Sequence, residues 1–172
     1  MKFIEIQYYK SPFGELILGS YDEQLCICDW RYRKMRSAID KRITSKLQAQ
    51  YLEKDNVVLQ TVRNQLEQFF NSERRDFDLP LLFVGTDFQQ KVWQQLALVP
   101  FGNTSTYLEL AQGIGHENAV RAVANANGAN ALSIIIPCHR IIGSNGQLVG
   151  YAGGLEAKKK LLMLEQDMFA PL

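Results

Sequence analysis

Three short stretches near the start of the chain are rich in hydrophobic residues and are separated by turn residues. The stretches are Phe3–Tyr9, Glu15–Ser20 and Gln24–Trp30. Short hydrophobic runs bounded by turn residues are typical of strands. The residues between them, 11–14 with the sequence Ser-Pro-Phe-Gly and 21–23, are short enough to form turns. The pattern therefore predicts an antiparallel meander of three strands.

Helical spacing follows these three stretches. A charged helix is predicted over Lys34–Leu47, and a second, amphipathic helix ending near Asn71 is predicted from Val58, Val62, Leu66 and Phe69. A connector over residues 74–85 contains Pro80. The pattern changes near Gly85, so we expect one domain over residues 1–85, acting as a scaffold, and another over residues 86–172.

The second half contains three predicted helices. Thr86 and Gln89 form a capping box before an amphipathic stretch that Pro100 closes. A second capping box, Thr106 to Glu109, opens a short helix that ends near Gly113. A third helix is predicted from about residue 117 to residue 128. A helix, a glycine turn and another helix match the helix-turn-helix plan, although many helical hairpins bind nothing.

The third helix combines small side chains with one long cation. Ala119 and Ala122 flank Arg121. Small residues allow the helix to approach a nucleic-acid groove closely while the arginine projects into it. The alternative is a helix that packs tightly against a neighbouring element because its alanines permit it.

Composition is that of an ordinary globular protein. Of the 172 residues, 47% are hydrophobic and 22% are charged, which allows one domain or two small ones. There is no apolar run of membrane length, and the charged start Met1-Lys2-Phe3-Ile4-Glu5 argues against a signal peptide. An odd number of cysteines, three, fits a reducing compartment. We expect a cytoplasmic protein.

Overall charge is a weak guide to binding partners. The net charge is +1, and acidic and basic residues are equal in number from Thr86 onward. A nucleic-acid binder usually has a basic balance, so any contact with DNA has to depend on where individual cations lie.

Cys138 and His139 follow an apolar run. The β-branched stretch Ser133–Ile136 predicts a short buried strand, which Pro137 ends. A thiol becomes a nucleophile when an imidazole or a cation lowers its pKa, and His139 and Arg140 directly follow Cys138. The alternative is a small buried hydrophobic residue beside a turn.

Downstream residues favour the nucleophile. Five glycines between residues 143 and 154 predict a ligand-binding loop. A helix is predicted from Leu155, with an apolar stripe of Leu155, Leu161 and Leu162 and with Lys158 to Lys160 mostly on other faces. Glu165 lies on the stripe side, where a carboxylate needs a partner, and His139 is the candidate. The alternative is a glutamate that points to water.

Cys26 and Cys28 are two residues apart in a predicted strand, so their side chains share a face. A metal site would need more ligands, and the chain has only His116 and His139 besides. We therefore interpret both cysteines as core residues and expect no metal.

The motifs of the second half resemble, in unbroken order, those of the O6-alkylguanine-DNA alkyltransferases, also called methylated-DNA–protein-cysteine methyltransferases. The resemblance spans Thr86 to Glu165, and the first half is similar only in size and element order. The motifs are Thr86-x-Phe88-Gln89-x-x-Val92-Trp93, Pro100-x-Gly102-x-x-x-Thr106-Tyr107, Ala119-x-Arg121-Ala122-Val123, Asn130, Pro137-Cys138-His139-Arg140, Gly143-x-x-Gly146 and Gly150-Tyr151-x-Gly153-Gly154-Leu155-x-x-Lys158.

The resemblance implies a role for each reacting group. Cys138 corresponds to the cysteine that accepts the alkyl group, His139 to the imidazole that takes its proton through a water, and Glu165 to the carboxylate that orients the imidazole. Tyr107 corresponds to the tyrosine that helps to turn the nucleotide out and protonates the base. Arg121 corresponds to the finger that fills the gap in the base stack, on a helix in the minor groove.

The resemblance also implies a pocket and a hinge. The main chain of Cys138, Ile141 and Ala152 corresponds to the groups that hold the guanine edge, and Asn130 to the hinge asparagine. Tyr151 and Lys158 match motif positions of the same pocket. Ala119 and Ala122 match the DNA-binding helix.

Five positions depart from the family pattern. Ala131 and Glu117 stand where proline is usual, Ala124 and Asn125 replace a common glycine pair, and Ala152 lacks a hydroxyl that some members have. None of these changes removes a reacting group.

The resemblance implies an α+β fold: a ribonuclease H-like N-terminal domain of antiparallel sheet and helices, and a mostly helical C-terminal domain with a winged helix-turn-helix-like motif. It implies a single-turnover repair protein that needs no cofactor, binds double-stranded DNA carrying O6-alkylguanine and works as a monomer. It leaves open activity on O4-alkylthymine. A lesion sensor would lack Cys138, and a cysteine hydrolase or redox enzyme would not need Tyr107 and Arg121.

Overall fold

A computed structural model describes residues 1–167. The chain forms two compact units, the first being Met1–Gly85 and the second beginning at Thr86. Their secondary structure is mixed, with the sheet in the first unit and most of the helices in the second. The α+β prediction is therefore confirmed.

The sheet of the first unit contains the three predicted strands: β1 (Lys2–Ser11), β2 (Gly14–Tyr21) and β3 (Gln24–Trp30). They pair antiparallel in sequence order. A fourth strand, β4 (Ala49–Glu53), pairs parallel with β1 and makes the sheet mixed. The expected meander was thus incomplete, because the largely exposed β4 has no buried alternation to reveal it.

Two helices accompany this sheet, α1 (Arg36–Leu47) and α2 (Val57–Phe70). The Asn56 side chain caps α2 by accepting a hydrogen bond from the backbone N–H of Leu59 at 2.9 Å. The buried face of α2 includes Leu59, Val62, Leu66 and Phe69, all fully inaccessible. Both helices were predicted, and three of the four apolar positions expected on the face of α2 are buried; Val58 is only partly buried, and Leu59 lies in the core beside the other three.

The connector after α2 is fastened to the edge of the sheet. Leu25 of β3 donates its N–H to the carbonyl of Pro80 at 2.7 Å, and its carbonyl accepts from Leu82 at 2.9 Å. The Gln65 side chain also exchanges two hydrogen bonds of 2.9 Å with the backbone of Asp78. The connector therefore packs as part of the first unit without forming a regular element.

The second unit begins with α3 (Asp87–Leu96), whose predicted capping box is present. Thr86 Oγ1 accepts from the N–H of Gln89 at 3.1 Å, and the Gln89 side chain accepts from the N–H of Thr86 at 2.9 Å. Helix α4 (Tyr107–Gly113) has the first half of such a box, in which Thr106 accepts from Glu109 at 3.1 Å. The Thr106 hydroxyl instead donates to the Glu109 carboxylate at 3.1 Å.

A turn links α4 to the next helix. Gly115 adopts φ of 75°, a left-handed conformation that glycine tolerates without strain. A 3-10 turn, Glu117–Ala119, then leads into α5 (Val120–Gly128). The indole of Trp93 donates to the carbonyl of Ala126 at 2.8 Å and fastens α5 to α3. Two helices and a glycine turn are thus present, and the wing stays a prediction.

The predicted strand Ser133–Ile136 is wrong. These residues form a turn, in which Ile136 N–H donates to the carbonyl of Leu132 at 2.8 Å and Ile134 adopts φ of 74°. The run is nevertheless largely buried, with Ser133, Ile134 and Ile136 at most 2% exposed. A short apolar run indicates burial, but it does not distinguish a strand from a packed turn.

A short parallel ladder and a final helix complete the second unit. The ladder pairs β5 (Ser105–Thr106) with β6 (Ile141–Ile142), and the helix is α6 (Leu155–Asp167). Leu161 is buried as predicted, but Leu155 is half exposed. Lys158, expected mostly away from the core, is fully buried.

Candidate active site

Cys138 opens a single 3-10 turn, Cys138–Arg140, directly after Pro137. The backbone N–H of Cys138 donates to the carbonyl of Ile136 at 2.8 Å, and that of Arg140 donates to the carbonyl of Pro137 at 3.0 Å. Cys138 is only 4% exposed. The thiol therefore lies in a rigid, nearly closed position.

Asn130 connects the end of α5 to this thiol. Its side-chain amide donates to Cys138 Sγ at 3.3 Å and to the carbonyl of Ile136 at 2.9 Å. Its carbonyl oxygen accepts from the N–H of Leu132 at 3.0 Å. A donor that points at sulfur stabilises the thiolate form. The position of Asn130 fits the hinge that the resemblance implies.

His139 and Glu165 form a buried pair. His139 Nε2 lies 2.6 Å from Glu165 Oε2, and both side chains are essentially inaccessible. Burial lowers the pKa of His139, and the interaction with Glu165 opposes that effect. Within residues 1–167, Nδ1 of this ring has no hydrogen-bond partner. The imidazole is therefore neutral at pH 7, with Nε2–H directed at the carboxylate and a lone pair on Nδ1.

Arg140 binds the same carboxylate. Its Nε donates to Glu165 Oε1 at 2.9 Å and its second terminal nitrogen donates to Oε2 at 3.0 Å. Burial alone would raise the pKa of Glu165, but the hydrogen bonds from His139 and Arg140 outweigh it and lower the pKa to about 2. A paired guanidinium is therefore the reason that a buried carboxylate stays ionised here.

The function of Arg140 was missed in the sequence. A cation beside Cys138 was expected to act on the thiol, whereas the guanidinium turns to Glu165 and to the carbonyl of Val99, at 2.7 Å. One feature of the sequence could have indicated this role of Arg140. Glu165 was expected to face the core, and a buried carboxylate needs a charged partner as well as a hydrogen-bond donor.

Lys158 binds backbone carbonyls before and within the glycine-rich loop, residues 143–154. Its ammonium donates to the carbonyls of Ile141, Val149 and Gly150, at 2.5, 2.7 and 3.4 Å. Burial lowers its pKa to about 8, and the nearby Cys138 opposes this effect. Three carbonyl acceptors explain how an ammonium group is tolerated on the buried side of α6.

Tyr107 is half-buried at the first position of α4. Burial raises its pKa, the charge of Cys138 raises it further, and a hydrogen bond with the Asn127 side chain lowers it. Tyr107 therefore keeps its proton at neutral pH and lies within electrostatic range of the thiol. Asn127, its buried partner, had not been singled out in the sequence.

The remaining predicted residues fall into two groups. The ring of Tyr151 stands edge-on to that of His139, with centroids 6.4 Å apart, and Ala152 follows it half-buried. Arg121 and Ala122 are exposed on α5, and Ala119 is partly exposed before it. Tyr151 therefore lies beside the buried His139, whereas the second group lies at the surface outside the buried network.

Metal ligation has no support among the described residues. Within residues 1–167, no three His, Cys, Asp or Glu side chains are arranged to hold an ion. Cys26 and Cys28 are at most 1% exposed, so both are core residues of β3, as interpreted. No helix in this part of the chain has both the length and the apolarity that a bilayer span needs.

Comparison with protein families covers both units. The family model described as the ribonuclease-like domain of 6-O-methylguanine DNA methyltransferase matches residues 4–83, and the one described as its DNA binding domain matches residues 87–167. The two units together thus have the domain composition of a DNA methyltransferase of this class.

Individual relatives agree with that class. The methylated-DNA–protein-cysteine methyltransferase of Methanosarcina barkeri is 42% identical over 158 residues, covering 92% of this chain and 94% of the relative. That of Haemophilus influenzae is 43% identical over 161 residues, covering 92% and 84%. The chain belongs to the methylated-DNA–protein-cysteine methyltransferase family.

Solved structures show the same fold. The O6-methylguanine methyltransferase of Mycobacterium tuberculosis superposes with a TM-score of 0.81 at 36% identity, over 98% of this chain and 95% of that one. The same protein in complex with DNA superposes with a TM-score of 0.80, over 96% and 94%.

Proposed function

We propose that this protein repairs DNA by transferring an alkyl group from O6 of guanine to its own Cys138. Family membership supports the activity, and relatives carry it in their name. The observation that carries the assignment to a residue is the buried array of Asn130, Cys138, His139 and Glu165, which supplies a nucleophile, a base and an orienting carboxylate.

Activation of the thiol begins at His139. Its Nδ1 is the ring nitrogen left available, because Nε2–H is held by Glu165. The Cys138 proton passes to Nδ1, through a water in the manner of the family, and Glu165 stabilises the resulting imidazolium. The Asn130 amide stabilises the thiolate.

The transfer is a single displacement. Cys138 sulfur attacks the alkyl carbon, the bond between that carbon and O6 breaks, and the electron pair passes to the guanine. The Tyr107 hydroxyl donates a proton to N3 of the departing base, and the proton that His139 took from the thiol passes to the Tyr107 oxygen, so that both side chains end neutral. The thioether product has no route to hydrolysis, so each molecule reacts once.

Access to the thiol requires an extruded base. Cys138 is 4% exposed, and a guanine within a duplex cannot reach such a position. Helix α5 lies in the minor groove in this proposal, with Ala119 and Ala122 permitting close approach and the exposed Arg121 filling the gap in the stack. An alkylated guanine pairs poorly and costs less to extrude.

The flipped base is held by the main chain of Cys138, Ile141 and Ala152, with Tyr151 beside it. Lys158 maintains this pocket, because its ammonium ties the carbonyl of Ile141 to those of the glycine-rich loop. The first unit acts as the scaffold domain. The protein works as a cytoplasmic monomer without a cofactor, which fits three free cysteines.

Mass analysis of peptides tests the proposal directly. After incubation with a duplex that carries O6-methylguanine, we expect one methyl group on the Cys138 peptide, at no more than one equivalent per protein. Cys138→Ser abolishes the transfer, and Cys26→Ser serves as the matched control. Multiple turnovers, or transfer that persists in Cys138→Ser, contradict the mechanism.

A further inference from the structure

Positive charge in the first unit is concentrated in residues 31–47, here named the basic segment. It contains seven Lys or Arg residues and one Asp, a net charge of +6. The other residues of 1–85 include six basic and eleven acidic ones, a net charge of −5. The whole-chain value of +1 conceals this separation.

Part of this charge serves the fold. The fully buried Asp29 accepts contacts from Arg33 at 3.1 Å and from Arg36 at 2.9 Å, and Arg36 also contacts Asp40 at 2.9 Å. Burial lowers the pKa of Arg42, and the like charges of Arg33 and Arg36 lower it further against the opposing effect of Asp29. Three guanidinium groups thus share two carboxylates, which leaves an excess of positive charge.

Three lysines add to that excess at the surface. Lys34, Lys41 and Lys46 are exposed, and no carboxylate of residues 1–167 is within ion-pair distance of them. Tyr32, two residues before Lys34, is 76% exposed. Their charges are therefore available to an external anion.

The second unit is poor in the charge that DNA binding requires. From Thr86 onward there are six basic and six acidic residues; Arg140, Lys158 and Glu165 are buried, which leaves four basic and five acidic residues at the surface. A protein that binds duplex DNA neutralises phosphates with Lys and Arg, and this electrostatic contribution dominates non-specific affinity. The basic segment, at +6, is where the chain has a net excess of positive charge.

We propose that the basic segment is a second DNA-binding surface, which binds the phosphate backbone of duplex DNA without reading its sequence. This inference rests on the proposed function, since it assumes that DNA is the partner. Ammonium groups on flexible side chains are suited to phosphates and provide no pattern that distinguishes one base from another. The surface would raise the affinity for undamaged and damaged DNA alike.

Salt dependence of binding to an undamaged duplex tests the proposal. The variant Lys34→Gln/Lys41→Gln/Lys46→Gln removes three charges from the basic segment. Lys2→Gln/Lys10→Gln/Lys54→Gln removes three exposed charges from the same unit outside it and serves as the matched control. Fluorescence anisotropy over roughly 50–200 mM salt gives the slope of log Kd against log salt concentration.

We expect the slope of the first variant to fall by about 2 to 3 and its affinity at low salt to fall at least tenfold, roughly one slope unit per phosphate contact. The control retains the slope of the unmodified protein. Equal slopes for the two variants would sink the proposal, as would an unchanged slope in the first.

Acetylation of the unmodified protein provides a readout without substitutions. Duplex DNA should protect Lys34, Lys41 and Lys46 from the reagent, and leave Lys2, Lys10 and Lys54 reactive; equal protection of both sets contradicts the proposal.

Transfer from free O6-benzylguanine to Cys138 should be the same in both triple variants. A protein that binds DNA through this surface but never alkylates Cys138 would refute the proposed function alone.

Discussion

At the scale of single residues, Glu165 binds two side chains at once. His139 takes one oxygen, and the guanidinium of Arg140 spans both. The carboxylate therefore both orients the imidazole and neutralises a buried cation. Removal of its charge has to disturb catalysis and folding together.

Glu165→Gln tests this dual role. An amide keeps the shape but cannot stabilise the imidazolium, so we expect methyl transfer to slow on the order of 100-fold or more. Arg140 also loses its counter-charge inside the protein, which destabilises it by about 3 to 5 kcal/mol. Single-turnover kinetics and urea unfolding measure the two effects. Glu156→Gln, exposed on the same helix, is the control and should leave the rate unchanged; an equal rate in Glu165→Gln would exclude the orienting role.

At the scale of elements, α5 presents one face to the protein and one to solvent. Val123, Ala126 and Asn127 are buried, and Trp93 holds the carbonyl of Ala126. Arg121 lies on the opposite, exposed side. The helix is therefore anchored on its inner face and carries one long cation outward.

Arg121→Ala separates DNA handling from chemistry. Loss of the side chain that fills the stack makes extrusion less favourable, so transfer from a duplex should slow about 10- to 100-fold. Transfer from free O6-benzylguanine needs no extrusion and should change little. Lys91→Ala, which removes another exposed cation of the same unit, should affect neither substrate. Equal losses on both substrates would reject the role in extrusion.

Prediction of elements from the sequence succeeded where side-chain periodicity matched the buried face. The helices α2 and α3 follow this rule, the strands β1 to β3 were located by their hydrophobic runs and the turns between them, and the capping box at Thr86 located a helix start to the residue. It failed at residues 133–136, since a β-branched apolar run is equally suited to a buried turn. It missed β4, whose outward side chains follow no alternating pattern.

The reactive residues of the site could be predicted from the sequence, but the hydrogen bonds that connect them could be predicted only in part. The pairing of His139 with Glu165 followed from the cost of burying a carboxylate. The places of Arg140 and Lys158 did not follow, because Arg140 binds oxygens of Val99 and Glu165, which are distant in the chain, and Lys158 binds carbonyls of an irregular loop whose path the sequence does not reveal. Pairings of that kind are set by tertiary packing.

At the scale of the whole molecule, acid should weaken the second unit through two groups. The pKa of Glu165 is lowered to about 2 in the folded chain, so its contribution is present near neutral pH and is lost as the pH falls from about 5 towards 2. His139, whose pKa is also lowered, binds its proton more readily when unfolded. Stability therefore falls on acidification, first below about pH 6.5 and then more steeply.

Urea unfolding at a series of pH values measures this dependence. Trp30→Phe leaves Trp93 as the single tryptophan, a reporter that belongs to the same unit as Glu165. We expect the free energy of unfolding to fall by on the order of 3 kcal/mol between pH 5 and pH 2 on account of Glu165. Addition of Glu165→Gln should flatten this part of the profile, and an unaltered profile would show that other carboxylates cause it.

The two cysteines of β3 do not interfere with chemical labelling of Cys138, so a label can count the molecules whose Cys138 is still unalkylated. Burial raises the pKa of Cys26 to about 12, and it raises that of Cys28 as well. Electrophilic labels react with thiolates, so both stay silent while the protein is folded. A substrate-like electrophile that enters the pocket then reports Cys138 alone. The number of labels taken up per protein molecule then gives the fraction of Cys138 that is still unalkylated. That fraction is the remaining repair capacity of the sample.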